Sequence, residues 1–276
     1  MKGPQSAYFG RSTFAGAINI VTRNPGNEWA GNVTAEAGSF GTTDLIFSVE
    51  GPILDERLAF RFDASKYETD GQYRNASSQA LLGARETRDV QATFLAKPND
   101  QFTAKLRLHY WEDDDGPAAG TVFAAGNAQD AFNCRLSGAG GSPSVNGTNN
   151  WICGEPRSVT AGEISLDTVV TSDVQARLDN SVAAGRYLLG PSILDGYGLA
   201  RRAREASLSM DYEFANGWRL QSVTAAHRNE HRFLDDLDRR ATELVRGPMG
   251  NFIQLSDNIR KDFSQEIRLT SRTTSL

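Results

Sequence analysis

The sequence has very little cysteine and no long apolar run, and each scarcity restricts the class of protein. Only two of its 276 residues are cysteine, so a disulfide-dense scaffold is excluded. No run of about eighteen apolar residues occurs, so a membrane-spanning helix is not expected. Cations are also few: 29 Lys and Arg against 34 Asp and Glu give a formal net charge of −5, which argues against nucleic acid as a partner.

Catalytic patterns are missing as well. The sequence contains no nucleophile elbow, no phosphate-binding loop and no paired carboxylates at a credible spacing. We therefore expect neither an enzyme nor a resident cofactor or metal. The mean hydropathy of −0.44 leaves the membrane open as a location, because strands that cross a membrane alternate apolar and polar residues and so keep a low mean.

Apolar and polar residues alternate with a period of two, the pattern of half-buried β-strands. In residues 102–111, for example, Leu106 and Leu108 share one face while Lys105 and Arg107 share the other. A tilted strand of about 9–11 residues can cross the hydrocarbon layer of a membrane. The predicted strands cover residues 30–38, 43–51, 57–67, 87–96, 102–111, 205–214, 217–228 and 260–270.

Short and long connections alternate between these predicted strands. Short turns lie near 52–57, 97–101 and 214–217, and long loops lie near 68–86, 113–203 and 229–260. The connection at 38–42 is the exception, because it is short on the side of the long loops. Short turns at one end and long loops at the other are typical of outer-membrane barrels. A soluble β-sandwich would rarely have loops this long. A short helix is predicted near 173–189.

The opening segment, residues 3–25, carries the most specific motif of the chain. Gly10 and Gly16 permit tight turns, and the apolar run 17–21 suits a buried strand that Pro25 ends. The segment closely resembles the end of the plug domain of TonB-dependent receptors. The residues that carry this resemblance are Gly3, Pro4, Gly10, Gly16, Asn19, Thr22 and Pro25.

The resemblance implies an all-β fold: an antiparallel transmembrane β-barrel segment with long extracellular loops and a plug remnant. Residues 1–25 would end the plug, and residues 26–276 would form roughly eight of the 22 strands of such a barrel, open in this chain. No signal peptide or TonB box is present, so we expect further sequence on both sides. A small closed barrel of eight strands is the structural alternative.

The function that the resemblance implies is active uptake of a scarce nutrient through the bacterial outer membrane, with a ferric siderophore as the commonest substrate in the family. The partners would be outer-membrane lipid and a TonB-type energy-coupling protein. Two alternatives stay open. The same fold imports cobalamin or an oligosaccharide in other cases, and a soluble secreted β-sheet binding protein could show a similar alternation.

Three polar clusters could bind ligands. The run Glu112–Asp115 is either a site for a hard cation or a solvated loop edge. A histidine pair spaced by four, followed by aspartates, could serve a metal or haem; these residues are His227, His231, Asp235, Asp236 and Asp238. A basic group, made of Arg201, Arg202 and Arg204, could contact anionic lipid or an anionic substrate, or could simply be solvated.

We predict a disulfide between Cys134 and Cys153, because both lie in one irregular segment that would be extracellular, although two unpaired thiols are the alternative. Closing a loop of about 18 residues should stabilise it by roughly 3 kcal/mol. Mass spectrometry of peptides prepared without reductant should find the two cysteines crosslinked, and treatment with reductant should separate them. Two free thiols in the unreduced sample would contradict the prediction.

Overall fold

The computed structural model describes residues 22–121, 133–135, 150–152, 158–186, 196–237, 239 and 253–271. Its main feature is one antiparallel sheet of eight strands. In chain order the strands of this sheet are β1 (Ala30–Ala37), β2 (Thr43–Leu54), β3 (Leu58–Thr69), β6 (Arg85–Asn99), β7 (Phe102–Asp115), β10 (Gly198–Glu213), β11 (Arg219–Asp236) and β12 (Ile253–Thr270). Two short hairpins accompany it, β4 (Tyr73–Arg74) with β5 (Leu81–Leu82) and β8 (Asn133–Arg135) with β9 (Asn150–Ile152).

The order of the sheet follows the chain from β1 to β12, so each long strand pairs with the next long strand. Among the described residues β1 and β12 pair on one side only, and the sheet is open. The all-β, antiparallel and open architecture predicted from the sequence is therefore confirmed. The small closed barrel is wrong, because its closure would need a ladder between β1 and β12.

Four strands, β7, β10, β11 and β12, extend at least four residues further toward the long loops than the alternation predicts. Strand β7 ends at Asp115 and β10 begins at Gly198, so both ends of the predicted loop 113–203 belong to the ladder. Polar cross-strand contacts hold these extensions: Arg201 Nε donates to Asp113 Oδ2 at 2.6 Å, and Thr87 Oγ1 donates to Asp113 Oδ1 at 2.8 Å. A search for apolar alternation cannot detect a ladder whose side chains are polar on both faces.

The register separates the side chains into an outer face, which is apolar over most of its height, and an inner face, which is polar. On the outer face Leu106 stands opposite Leu208 and Phe94. Several large apolar side chains of this face are exposed, including Phe47 at 43%, Leu108 at 43% and Phe263 at 72%. A soluble sandwich would cover such a face with a second sheet, whereas hydrocarbon would cover it in a membrane.

A small apolar cluster lies at the long-loop ends of β11 and β12, where helix α1 (Ser172–Ala183) packs on these two strands. Val174 and Leu178 of the helix contact Leu234, and Leu255 is packed against the same cluster. The helix begins where Thr171 Oγ1 accepts a hydrogen bond from the Val174 amide at 3.4 Å. The predicted helix is thus confirmed, although it ends six residues earlier than residue 189. No helix within the described ranges is both long and apolar enough to cross a membrane.

The segment that carries α1 is tied to two distant parts of the sheet. Asn75, beside the β4–β5 hairpin, donates through Nδ2 to the Leu166 carbonyl at 2.7 Å. The amide of Asp167 donates to Asp236 Oδ2 at 3.0 Å. Both Asn75 and Asp236 are buried, so these bonds fix the course of the long connection between β7 and β10.

The assignment of the outer face predicts an asymmetric response to a buried charge. Replacing Leu106 or Leu208 by Arg should lower the free energy of unfolding by about 2–4 kcal/mol if the site lies near the membrane midplane. Ser264→Arg is the matched control, because Ser264 lies on the inner face of β12 opposite Ala225 and should change stability by no more than about 0.5 kcal/mol. Denaturant titration of the protein in lipid measures both. Equal losses at the two faces would contradict the assignment.

Candidate functional site

The opening segment is held against the inner face by a lysine of β7. Lys105 Nζ donates to the Thr22 carbonyl at 3.1 Å and to Thr22 Oγ1 at 2.9 Å. Thr22 and Pro25 are the two residues of the opening motif that the structure describes, and Pro25 is buried. The other five motif residues, Gly3, Pro4, Gly10, Gly16 and Asn19, lie outside the described residues. A primary ammonium group is well suited to this role because it can donate to a carbonyl and a hydroxyl at once.

A buried carboxylate of β2 provides a second attachment. Glu50 is only 3% exposed, and it pairs with Arg23 of the opening segment and with Arg61 of β3, the latter at 3.2 Å. Its second oxygen also accepts the Gly26 amide at 3.4 Å. Arg61 in turn pairs with Asp63, so the buried carboxylate belongs to an ion-pair group of four side chains. Removing such a carboxylate leaves its donors without a partner, which is costly in a buried site.

After Gly26 the chain passes to the other face of the sheet before β1 begins. Trp29 lies on the outer face, with its ring 5.6 Å from that of Phe60 in an edge-on arrangement. A Cβ atom at Gly51 would come within 2.7 Å of the Trp29 ring, so only glycine admits this packing. The indole therefore fixes the point at which the opening segment leaves the inner face.

A second polar group lies further along β7, toward the long loops. Arg107 donates to Gln91 Oε1 at 2.6 Å and to Glu205 Oε1 at 2.7 Å, which connects β6, β7 and β10. His109 contacts Asp89 through Nε2 at 2.5 Å. These side chains form hydrogen bonds with one another across neighbouring strands. This part of the inner face is therefore a pre-ordered polar wall.

An aromatic stack lies at the end of this wall that is nearer the long loops. The Trp111 ring lies between two imidazoles, 4.7 Å from His109 and 6.0 Å from His227, with interplanar angles of 31° and 27°. Each imidazole has its own carboxylate, Asp89 for His109 and Asp262 for His227, the latter at 3.4 Å. We call these three rings, His109, Trp111 and His227, the aromatic stack. Such a surface can stack on a ligand and hydrogen-bond to it, but it does not present a nucleophile.

The run Glu112–Asp115, one of whose two interpretations was a cation site, does not bring its four carboxylates together. All four residues belong to β7, where successive side chains point to opposite faces: Asp113 and Asp115 face inward, and Glu112 and Asp114 face outward. Burial raises the pKa of Asp115, and burial also raises that of Asp235 on β11. These carboxyls therefore bind a proton more readily in the folded chain than they would in water.

The histidine pair is also separated by strand geometry. His227 and His231 share the inner face of β11, but four residues of strand place them about 13 Å apart, too far to bind one ion. Both histidines lie within β11, which continues to Asp236. Across the part of the chain that the structure describes, no three His, Cys, Asp or Glu side chains are grouped as a metal site. Asp238 lies outside that part.

The basic group is divided between the two faces. Arg201 faces inward to Asp113, whereas Arg202 and Arg204 face outward.

The predicted disulfide lies largely outside the described residues. Cys153 is not among them, and only the backbone of Cys134 is described. Cys134 is the register partner of Trp151, and Trp151 precedes Cys153 by two residues in the chain. The disulfide stays a prediction.

Sequence reasoning did not single out Glu50, Lys105 or Trp111 as site residues. Each carried a usable signal: it interrupts or opposes an apolar face in a strand whose alternation was already clear. What the sequence does not reveal is register, and only register shows that Trp111 and His227 lie on β7 and β11, the two strands that flank β10.

We predict that Glu50→Ala lowers the free energy of unfolding by about 2–3 kcal/mol, because it removes a buried carboxylate that binds Arg61, Arg23 and the Gly26 amide. Glu68→Ala is the control. Glu68 pairs with Lys66 at the surface, and their side chains are 42% and 40% exposed, so the loss should stay below about 1 kcal/mol. The same denaturant titration compares them, and a loss at Glu50 no larger than at Glu68 would remove its proposed role.

Similarities to known proteins agree with this architecture. A protein of Acinetobacter baumannii named probable TonB-dependent siderophore receptor PirA is 27% identical over 119 residues, which cover 39% of this chain and 16% of the relative. The solved ferric yersiniabactin uptake receptor FyuA from Yersinia pestis is 18% identical with a TM-score of 0.60, covering 100% of this chain and 33% of that chain. No family model matches.

A second solved structure, the ferric-catecholate import receptor Fiu from E. coli K12 in its open form, is 13% identical with a TM-score of 0.57, covering 99% of this chain and 36% of that chain. At these identities the solved structures establish the fold alone, and this chain spans about a third of their length and about a sixth of the curated relative's. The chain therefore shares the fold of these solved receptors, and its opening motif resembles the TonB-dependent receptors of the bacterial outer membrane.

Proposed function

We propose that this chain supplies the end of the plug, residues 1–25, and part of the barrel wall, residues 26–276, of a receptor that imports a ferric siderophore with energy from a TonB-type coupling protein. The observation that carries the proposal is the attachment of the opening segment to the wall through Lys105 and Thr22. A wall whose inner face binds a separate segment of the chain is what a plugged barrel requires.

The polarity of the inner face supports a wide lumen. An eight-stranded barrel has an interior that side chains just fill. Here the inner face carries long charged side chains at many levels, among them Arg61, Lys105, Arg107 and Arg268. Such a surface suits a barrel wide enough to hold both a plug and water.

The aromatic stack is the part of the wall best placed to meet a substrate. Trp111 follows Lys105 by six residues on β7, about 20 Å along the strand toward the long loops. It therefore lies well above the level at which the opening segment is attached. The relatives named above are a siderophore receptor and importers of ferric yersiniabactin and ferric catecholates, which supports iron chelates as the substrate class.

Uptake assays test the proposal. Iron-starved cells that lack other iron receptors and express the receptor containing this chain should accumulate iron from at least one member of a panel of ferric catecholates, ferripyoverdine and ferric yersiniabactin. Removing the TonB-type partner should abolish uptake and leave binding in place. Uptake of cobalamin or an oligosaccharide, with none of the iron chelates, would assign the alternative substrate class to the same fold.

Trp111→Ala should raise the half-saturating substrate concentration about tenfold, because truncating an aromatic anchor typically costs more than 1 kcal/mol of binding. Trp218→Ala is the matched control: it removes the same side chain at the short-turn end of the sheet, where no substrate is expected. Saturation curves for labelled substrate at equal receptor levels measure both variants. An unchanged curve for Trp111→Ala would exclude the aromatic stack from the binding site.

A further inference from the structure

Three cations lie side by side on the outer face of the sheet. In the ladder of β10, β11 and β12, Arg204 is the register partner of Arg228, and Arg228 is the register partner of Lys261. All three are exposed. We call these residues the cationic row. Like charges placed directly opposite one another destabilise a sheet, so the arrangement needs a compensating interaction.

The protein neutralises this row only in part. Arg228 donates through Nε to Glu230 at 2.6 Å, and Arg204 lies 5.9 Å from the centre of the Tyr110 ring. Within the described ranges no carboxylate lies at ion-pair distance from Arg204 or Lys261. The next row toward the long loops is different, because there the charges alternate in sign across the strands: Arg88, Glu112, Arg202 and Glu230. On these strands the row nearer the long loops is therefore balanced in charge, whereas the cationic row carries an excess of positive charge.

The cationic row marks one edge of the apolar band. The next row toward the short turns is apolar throughout, with Ala206, Ala226 and Phe263 on the same three strands. At the other edge lie aromatic rings, among them Tyr212 and Phe214, whose centroids are 4.8 Å apart. Aromatic rings of this kind typically sit at the interface between membrane and water.

The height of the band agrees with a membrane. Arg204 precedes Tyr212 by eight residues of β10, about 27 Å along the strand and about 21 Å along the membrane normal at a tilt near 40°. Lipid-facing bands are about 25 Å tall. The three cations therefore lie at the level of the lipid headgroups, on the side of the long loops.

We propose that the cationic row binds the phosphate of an anionic lipid headgroup in the outer leaflet. A guanidinium can hold a phosphate through two parallel hydrogen bonds, and an ammonium adds a mobile point charge. The carboxylates of the adjoining row, Glu112 and Glu230, already accept from Arg88 and Arg228, which leaves Arg204 and Lys261 to the lipid. The inference depends on the orientation of the chain in the membrane and is independent of which substrate is imported.

Lipid titration of the receptor in a non-ionic detergent, followed by native mass spectrometry, tests this. The probe is phosphatidic acid, and phosphatidylcholine with the same acyl chains is the comparison lipid. The double variant Arg204→Gln with Lys261→Gln should bind phosphatidic acid about thirtyfold more weakly. Each cation near a membrane surface raises the affinity for anionic lipid about fivefold. Binding of phosphatidylcholine should be weak in the native receptor and unchanged in the variant.

Two controls make the outcome unambiguous. The double variant Arg57→Gln with Lys97→Gln removes the same net charge at the short-turn end and should bind phosphatidic acid like the native receptor. The charge-preserving variant Arg204→Lys with Lys261→Arg should retain binding within a few fold. Equal losses in both Gln variants, equal affinity for the two lipids, or displacement of the lipid by millimolar inorganic phosphate would each overturn the proposal. Uptake of substrate can fail or succeed without affecting any of these results.

Discussion

A single sheet must present opposite surfaces to lipid and to a wet interior, and the rest of the structure depends on this constraint. Because side chains alternate, a slip of one residue in β7 would move Lys105 and Arg107 onto the lipid face and Leu106 onto the inner face. One Arg or Lys near the midplane costs about 2–4 kcal/mol, so a slip is far more costly than the loss of any one ion pair described here. Register is therefore fixed by the membrane as much as by side-chain contacts.

The same constraint explains why the polar groups of the inner face are paired so extensively. Arg107 bonds to partners on both neighbouring strands, and Glu50 bonds to β3 and to the opening segment. These contacts cross from strand to strand, so they also hold the ladder together. At both open edges, β1 and β12, the unpaired backbone groups would be costly in hydrocarbon. In a bilayer each edge needs a further strand as its partner.

Much of this architecture follows from the sequence, because the signal is local. The alternation in residues 102–111 and 205–214 predicts strands and faces without any knowledge of partners, and both are found in β7 and β10. The extensions beyond the membrane could not be predicted, since they depend on cross-strand polar pairs such as Arg201 with Asp113. The aromatic stack and the cationic row could not be predicted for the same reason. Their members are far apart in the sequence, and only the register of the strands brings them together.

The long connection between β7 and β10 limits how far lipid can extend on the outer face. Helix α1 packs on the outward side chains of Leu234 and Leu255, so this part of the face is covered by protein and not by lipid. Arg228 lies six residues below Leu234 on β11, about 20 Å along the strand. Hydrocarbon therefore ends below the helix, at a distance of about 15 Å along the membrane normal for a strand tilt near 40°. The outward side chains of β11 in that interval, from Arg228 to Arg232, are all charged. The outer face thus changes from apolar to charged to protein-covered along one strand, and this sequence of surfaces matches the successive layers of a membrane.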